Sequence, residues 1–181
     1  MFVTMQRLFT VSYPEISAEA SSFIRAFRAR YDAPFRDVIE AHFTLLFGCT
    51  DVGFAEYSAH VAAVAASSEP ISFSCQYAML GADDKTSTAY VFLVPDQGHA
   101  AISLLHDRLY TGPLQPFLRL DIQYTPHITV GVLDRRAEAK KLCDELNREG
   151  VCVDGRLTLL TVGAIENGKF QSLSHHTMGA A

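Results

Sequence analysis

Two short segments of this sequence carry side chains in a pattern suited to proton transfer. His42-Phe43-Thr44-Leu45 and His127-Ile128-Thr129-Val130 share the form His-apolar-Thr-apolar. Histidine has an ordinary pKa of about 6.5, so it can take or give a proton near neutrality. A threonine hydroxyl can donate a hydrogen bond to an anionic oxygen. Both segments are apolar enough to open a strand, and in a strand residues i and i+2 point to the same face. The spacing therefore predicts one imidazole and one hydroxyl side by side, with Phe43 and Ile128 turned to a core.

With seven histidines and twelve threonines in 181 residues, chance gives only about half of one His-x-Thr triplet. A third triplet, His175-His176-Thr177, has no apolar centre, opens no predicted strand, and reads as a mobile polar tail. The two strand-borne copies stand 85 residues apart, close to half the chain, which suggests duplication. A lone histidine of this kind is usually a core residue bonded to backbone. A matched pair, each with a co-facing threonine, reads as a site.

The elements that hold these segments follow from hydrophobic periodicity. Residues 6–13 read as a strand stopped by Pro14, and Ser17 as the N-cap of a helix to Tyr31 with the apolar stripe Ala20, Phe23, Ile24, Phe27 and Tyr31. Residues 41–48 form a buried strand, and residues 54–67 repeat helical spacing through Phe54, Tyr57, Val61 and Val64. Residues 71–80 and 88–94 read as two strands joined by a polar turn at 81–85. The second half predicts a helix at 97–110, a break at Gly112-Pro113, a strand at 124–133, and a helix at 134–149 closed by Gly150. A long strand at 151–166, bent at Gly155, leads through Asn167-Gly168, the strongest hairpin signal, to a last strand at 169–173. No linker separates the halves, so the architecture is mixed α+β in one compact unit.

Composition removes several function classes. About half the residues are apolar (49%), which argues against disorder, and runs such as 61–66 are far too short to span a bilayer. Residues 1–14 lack a long apolar stretch and a cleavage site, so export is not indicated. Cys49, Cys75, Cys143 and Cys152 have no C-x-x-C spacing and sit mostly within apolar runs, as free core cysteines of a reduced, cytoplasmic protein would. A net charge of −5 argues against a broad grip on duplex nucleic acid, while a small anion or a strand end remains a fitting partner. Phosphate-loop, dinucleotide and zinc-protease motifs do not occur. His99 and His106 would lie about 10.5 Å apart along a helix, too far to share an ion, and read as half-buried or surface residues. His60 reads as an edge residue of the second helix. Arg119, just ahead of the second motif, suits a phosphate contact and a solvated surface equally well. Tyr90 and Phe92 share one strand face, fit either for stacking a base or for a core.

The motifs resemble those of the 2H phosphoesterases, named for two His-x-Thr/Ser motifs, which include RNA 2′,5′-ligase-like proteins and cyclic nucleotide phosphodiesterases. Gln6-Arg7-Leu8-Phe9-Thr10-Val11, with Pro14 beyond, is similar to the family's first strand. His42-Phe43-Thr44-Leu45-Leu46-Phe47-Gly48 looks like its first motif and Pro126-His127-Ile128-Thr129-Val130-Gly131 its second. Ala41 departs from the proline that often precedes the first histidine, a change a strand tolerates.

The resemblance implies an α+β fold of two pseudo-symmetric lobes, with antiparallel sheets facing a central cleft and helices outside. Residues 1–181 would then be a single domain of two duplicated lobes, one carrying the motif at 42–45 and the other that at 127–130. The implied activity is metal-independent hydrolysis of 2′,3′-cyclic phosphates of nucleotides or RNA ends, with His42 and His127 as general acid and base. Thr44 and Thr129 would bind the non-bridging phosphate oxygens. No cofactor is implied, and the machinery run backwards would be an RNA 2′,5′-ligase. The expected partner is a small phosphorylated nucleotide or RNA terminus, met by a monomer with no attachment to duplex or membrane. A non-catalytic protein that binds a nucleotide or RNA end is the other reading. It is disfavoured because binding alone would not need both imidazoles.

Overall fold

Alternating burial along short β-branched and aromatic runs builds the strands, and the structure, a computed structural model, describes residues 6–82 and 86–179. The order is β1 Leu8–Ser12, β2 Glu15–Ile16, α1 Ala18–Tyr31, β3 Phe43–Cys49, α2 Phe54–Ala66, β4 Ile71–Cys75, β5 Tyr77–Ala82 and β6 Ala89–Val94. There follow α3 His99–Leu109, a 3₁₀ helix Gly112–Phe117, β7 Ile128–Leu133, α4 Arg136–Glu149, β8 Val153–Leu157, β9 Leu159–Glu166 and β10 Lys169–Thr177. Ser17 caps α1 as expected, its hydroxyl accepting from the Ala20 amide, and Gly150 closes α4 in the left-handed conformation. The α+β class holds.

Seven strands form one antiparallel sheet in the order β10-β9-β1-β3-β7-β6-β5, and β2-β8-β4 form a second, smaller one. The large sheet divides at its middle. β3 and β7, the two motif strands, pair at one position only, Phe43 opposite Ile128. The C-terminal β9 pairs with the N-terminal β1 and β10 with β9, so the half-sheet that bears β3 draws on both ends of the chain. Helix α2 packs on β9 and β10, α3 on β3, and α4 on β5, β6 and β7. The Tyr57 ring of α2 is fully buried, and its hydroxyl meets Thr10 Oγ1 at 2.8 Å, so neither buried polar group is left unpaired.

Three expectations are corrected. The run 71–80 is two strands, not one: β4 pairs with β8 in the small sheet and β5 with β6 in the large one, with the break at Gln76. The run 151–166 likewise splits at Thr158, where the chain passes from β8 in the small sheet to β9 in the large one. The hairpin turn is present, with Asn167 and Gly168 both at positive φ, but the strand after it runs to Thr177. The segment His175-His176-Thr177 is therefore paired with β9, and His176 Nε2 lies 3.0 Å from both Ser58 and Ser174 hydroxyls. An edge strand keeps polar side chains, which is why its sequence resembled a tail. Of the predicted turn at 81–85, residues 83–85 lie outside the described residues, as do residues 1–5 of the N-terminal segment. No helix among the described residues is long and apolar enough to cross a membrane.

Candidate active site

The single residue pair that joins the half-sheets sets the geometry of both motifs. Phe43 and Ile128 are fully buried, so their neighbours His42, Thr44, His127 and Thr129 turn to the opposite face. All four remain half-buried there. His42, Thr44 and Thr129 line one cavity of about 350 Å³. His127 is close enough to His42 that its charge, when present, disfavours protonation of His42.

Each imidazole is fixed by a carbonyl two residues upstream. His42 Nδ1–H donates to the Glu40 carbonyl at 2.7 Å, and His127 Nδ1–H donates to the Thr125 carbonyl at 2.7 Å. That sets the tautomer and leaves each Nε2 free of its proton in the neutral ring. Nε2 of His42 accepts from the Thr44 hydroxyl at 3.1 Å. Burial pushes the His42 pKa down to about 4; the Glu40 carbonyl opposes this, and the Arg28 and His127 charges add to it. Burial also lowers His127, against the Thr125 carbonyl. An arriving phosphate anion acts the other way, since an opposite charge favours imidazolium.

Aromatic rings frame the two histidines. Phe92 stacks on His127 with centroids 3.8 Å apart and planes 28° apart, and Tyr90 stacks on Phe92 at 5.7 Å. Tyr13 stands edge-on to His42 at 6.3 Å. Where β3 leaves β7, its unpaired backbone groups find side-chain partners. The Tyr124 hydroxyl donates to the Thr44 carbonyl at 3.0 Å, and the Phe47 amide donates to the Tyr110 hydroxyl at 3.0 Å. His106 is buried, contrary to expectation, and stacks on Tyr124 at 3.7 Å, backing that latch. The apolar wall of the cavity includes Phe9, Val11, Phe47 and Phe170, and Arg28 and Asp32 also line it.

Of the expected site residues, His42, Thr44, His127 and Thr129 come together, while Arg119 stays on the surface in a bidentate pair with Asp121 at 2.7 and 2.6 Å. Tyr90 and Phe92 sit on the site face. Phe92 stacks on His127, and Tyr90 stacks on Phe92. Sequence reading missed Arg28, Asp32, Phe9, Phe47 and Tyr124. Arg28 and Asp32 had a signal: a charged i,i+4 pair beside Ile24, Phe27 and Tyr31 on the apolar stripe of α1. His60 bonds the Leu109 carbonyl at 3.0 Å, an edge role as expected. Among the described residues no group of three or more His, Cys, Asp or Glu is gathered to hold a metal ion.

A divided antiparallel sheet with a His-x-Thr segment on each side of the division is the fold of a 2H phosphoesterase. The family model of the 2′-5′ RNA ligase superfamily matches residues 14–168, and this chain belongs to that superfamily. It is a superfamily of phosphoesterases and RNA ligases, which supports an enzyme. Among solved structures, Escherichia coli LigT complexed with 3′-AMP is similar at 18% identity and a TM-score of 0.61, over 96% of this chain and 98% of that one. TT0787 of Thermus thermophilus is similar at 17% identity and a TM-score of 0.59, with coverage of 96% and 98%. Kluyveromyces marxianus Usb1 is similar at 9% identity and a TM-score of 0.55, with coverage of 95% and 99%. At these identities the likeness is one of fold. No curated protein matches the sequence.

Proposed function

We propose that this protein is a metal-independent phosphodiesterase that opens 2′,3′-cyclic phosphates of nucleotides or RNA ends. The observation that carries this reading is the placement of two histidines and two threonines around one residue pair, on one face. In the proposed reaction one neutral imidazole takes a proton from water as its oxygen attacks phosphorus. The bond to one ribose oxygen breaks, and the other histidine, as imidazolium, protonates that oxygen. The product is a 2′- or 3′-phosphomonoester beside a free ribose hydroxyl, on the nucleotide or the RNA end. When phosphate enters, the Thr44 hydroxyl turns from His42 Nε2, freeing that nitrogen, and Thr44 and Thr129 donate to the non-bridging oxygens and hold the phosphate in line. The 350 Å³ cavity lies within the range of small-ligand pockets, and its phenylalanine walls suit a base and ribose. Solved relatives of the same fold hold small nucleotides: 3′-AMP, NADP+ and ATP in LigT. Run in reverse, the same groups join a cyclic phosphate to a 5′-hydroxyl without ATP.

The test is turnover of the four nucleoside 2′,3′-cyclic monophosphates and of an RNA ending in a cyclic phosphate, with EDTA present. A positioned acid or base contributes about 10² to 10⁴ in rate, so His42→Ala and His127→Ala should each nearly abolish activity. Inactive wild-type protein on all these substrates, or loss of turnover to EDTA alone, defeats the reading.

A further inference from the structure

The two histidines differ in what stands behind them. His127 rests on the Thr125 carbonyl and the Phe92 ring. His42 rests on the Glu40 carbonyl, carried by residues 33–42, which like residues 118–127 before His127 form neither helix nor strand; the difference is in the side chains that hold each segment. Turn hydrogen bonds hold the middle of residues 33–42, with the Ile39 amide donating to the Phe35 carbonyl at 3.1 Å and the Phe170 amide of β10 to the Val38 carbonyl at 2.8 Å, and a buried cation grips the end. Arg28 is 6% exposed; its Nε donates to Asp32 Oδ2 at 2.7 Å, and its Nη2 donates to the Ile39 carbonyl at 2.9 Å. Asp32 is wholly buried. The path Asp32–Arg28–Ile39 carbonyl is thus one peptide unit away from the Glu40 carbonyl that receives the His42 Nδ1 proton.

We propose that Arg28, braced by Asp32, is the positioning residue for His42: its grip on Ile39 sets the Glu40 carbonyl, which holds His42 in the Nδ1–H tautomer with Nε2 bare, as the base of the hydrolytic step. His127, backed by a carbonyl and an aromatic ring, is then the proton donor. This rests on the phosphodiesterase reading above.

Three features favour the assignment. A buried ion pair is a weak source of stability, because two charges leave water and a well-packed apolar pair of similar size does as well or better. The pair is incompletely satisfied even so, since Asp32 Oδ1 is buried without a hydrogen-bond partner. Burial works against the ionised carboxyl of Asp32, while the Phe35 amide, which donates to the Asp32 backbone carbonyl at 3.3 Å, favours it. A pair of this kind is better explained by the orientation it imposes. Second, Arg28 spans Asp32 and Ile39 with separate nitrogens, a use of the rigid guanidinium fork that lysine cannot copy. Third, the groups facing His42 leave it neutral. These are Arg28 and His127, whose charges oppose its protonation, and Tyr13, whose own hydroxyl is pushed up to about 12 by burial and by Glu40, and so stays uncharged.

Two variants separate position from charge. Arg28→Lys keeps the cation and loses the fork; the double variant Arg28→Gln/Asp32→Asn removes both charges without stranding either. Histidine nitrogen NMR reads the His42 tautomer and its titration midpoint directly, without turnover. The pH dependence of kcat/KM on 2′,3′-cyclic AMP reads the same group in action. Wild type should show a single Nδ1–H tautomer. The double variant should show a mixture of tautomers and kcat lower by roughly 10- to 100-fold with KM little changed, its midpoint staying low because burial is the chief cause of the lowering. Arg28→Lys should lose part of kcat while keeping the low midpoint. A double variant that folds with the wild-type tautomer overturns the proposal, and so does an Arg28→Lys variant with wild-type kcat. Wild-type protein inactive on every cyclic phosphate would overturn the hydrolase reading instead, leaving the NMR result to judge Arg28.

Discussion

A histidine is useful as a catalyst only if its environment sets which proton state it occupies, and both imidazoles here are pushed below their ordinary range, chiefly by burial. The sign of the consequence follows from the roles. In the proposed reaction activity needs His42 unprotonated, so it should rise with pH through the His42 midpoint near 4. It needs the partner histidine protonated, so it should fall as pH passes a second midpoint that also lies below 6.5. The expected kcat/KM profile on a cyclic nucleotide is therefore a bell with its maximum on the acid side of 6.5. A maximum at pH 8 would contradict it. The threonines should act on rate: Thr129→Val, which keeps shape and removes the donor, is expected to cut kcat by about 10² or more, measured under saturating substrate. All four residues were legible from their types and spacing. The groups that tune them were not. Arg28 and Asp32 lie ten or more residues from His42 in sequence, and only folding of the 33–42 segment makes them neighbours.

At the scale of elements, β6 and β3 each carry a device that seats a motif. Phe92 of β6 is held between Tyr90 and the His127 ring. Gly81 of β5 makes room for it: a Cβ there would fall 2.2 Å from Phe92 Cε2. Because Phe92 is confined on both sides, Gly81→Ala should push the ring off His127 and lower kcat, with little change in Tm. Steady-state kinetics beside a thermal melt checks this, and a melt that collapses with no separate kinetic defect would refute it. On β3, Tyr124→Phe removes the donor to the Thr44 carbonyl, at an expected cost of about 1 kcal/mol by denaturant titration, with Thr44 less well held. Helices were read closely because their caps and 3.6-residue periodicity are local, as at Ser17 and Gly150. The runs 71–80 and 151–166 misled because an uninterrupted apolar stretch does not reveal that its two ends pair with different sheets.

The whole molecule turns on its division. Phe43 is the residue at which the half-sheets meet, and its ring lies edge-on to Phe73 of the small sheet at 5.1 Å. Phe43→Ala should therefore cost about 3 to 5 kcal/mol by denaturant titration, as large aromatic truncations in cores do. It should also abolish turnover in the fraction that remains folded, because His42 and Thr44 flank the lost ring. Full activity per folded molecule would show that the motifs hold their places without the junction.

Strand alternation, helix caps and the Asn-Gly turn are consequences of local geometry, and they made the α+β class, the motif residues and the face they share readable along the chain. Long-range pairing settled the rest: the motif strands touch at a single pair, β9 and β10 return to β1, and the third His-x-Thr segment is an edge strand. It also placed a buried arginine behind one histidine and an aromatic stack beside the other. These depend on contacts between distant stretches, where each strand's partner is chosen by the surface the others leave unburied, and no local pattern encodes that choice.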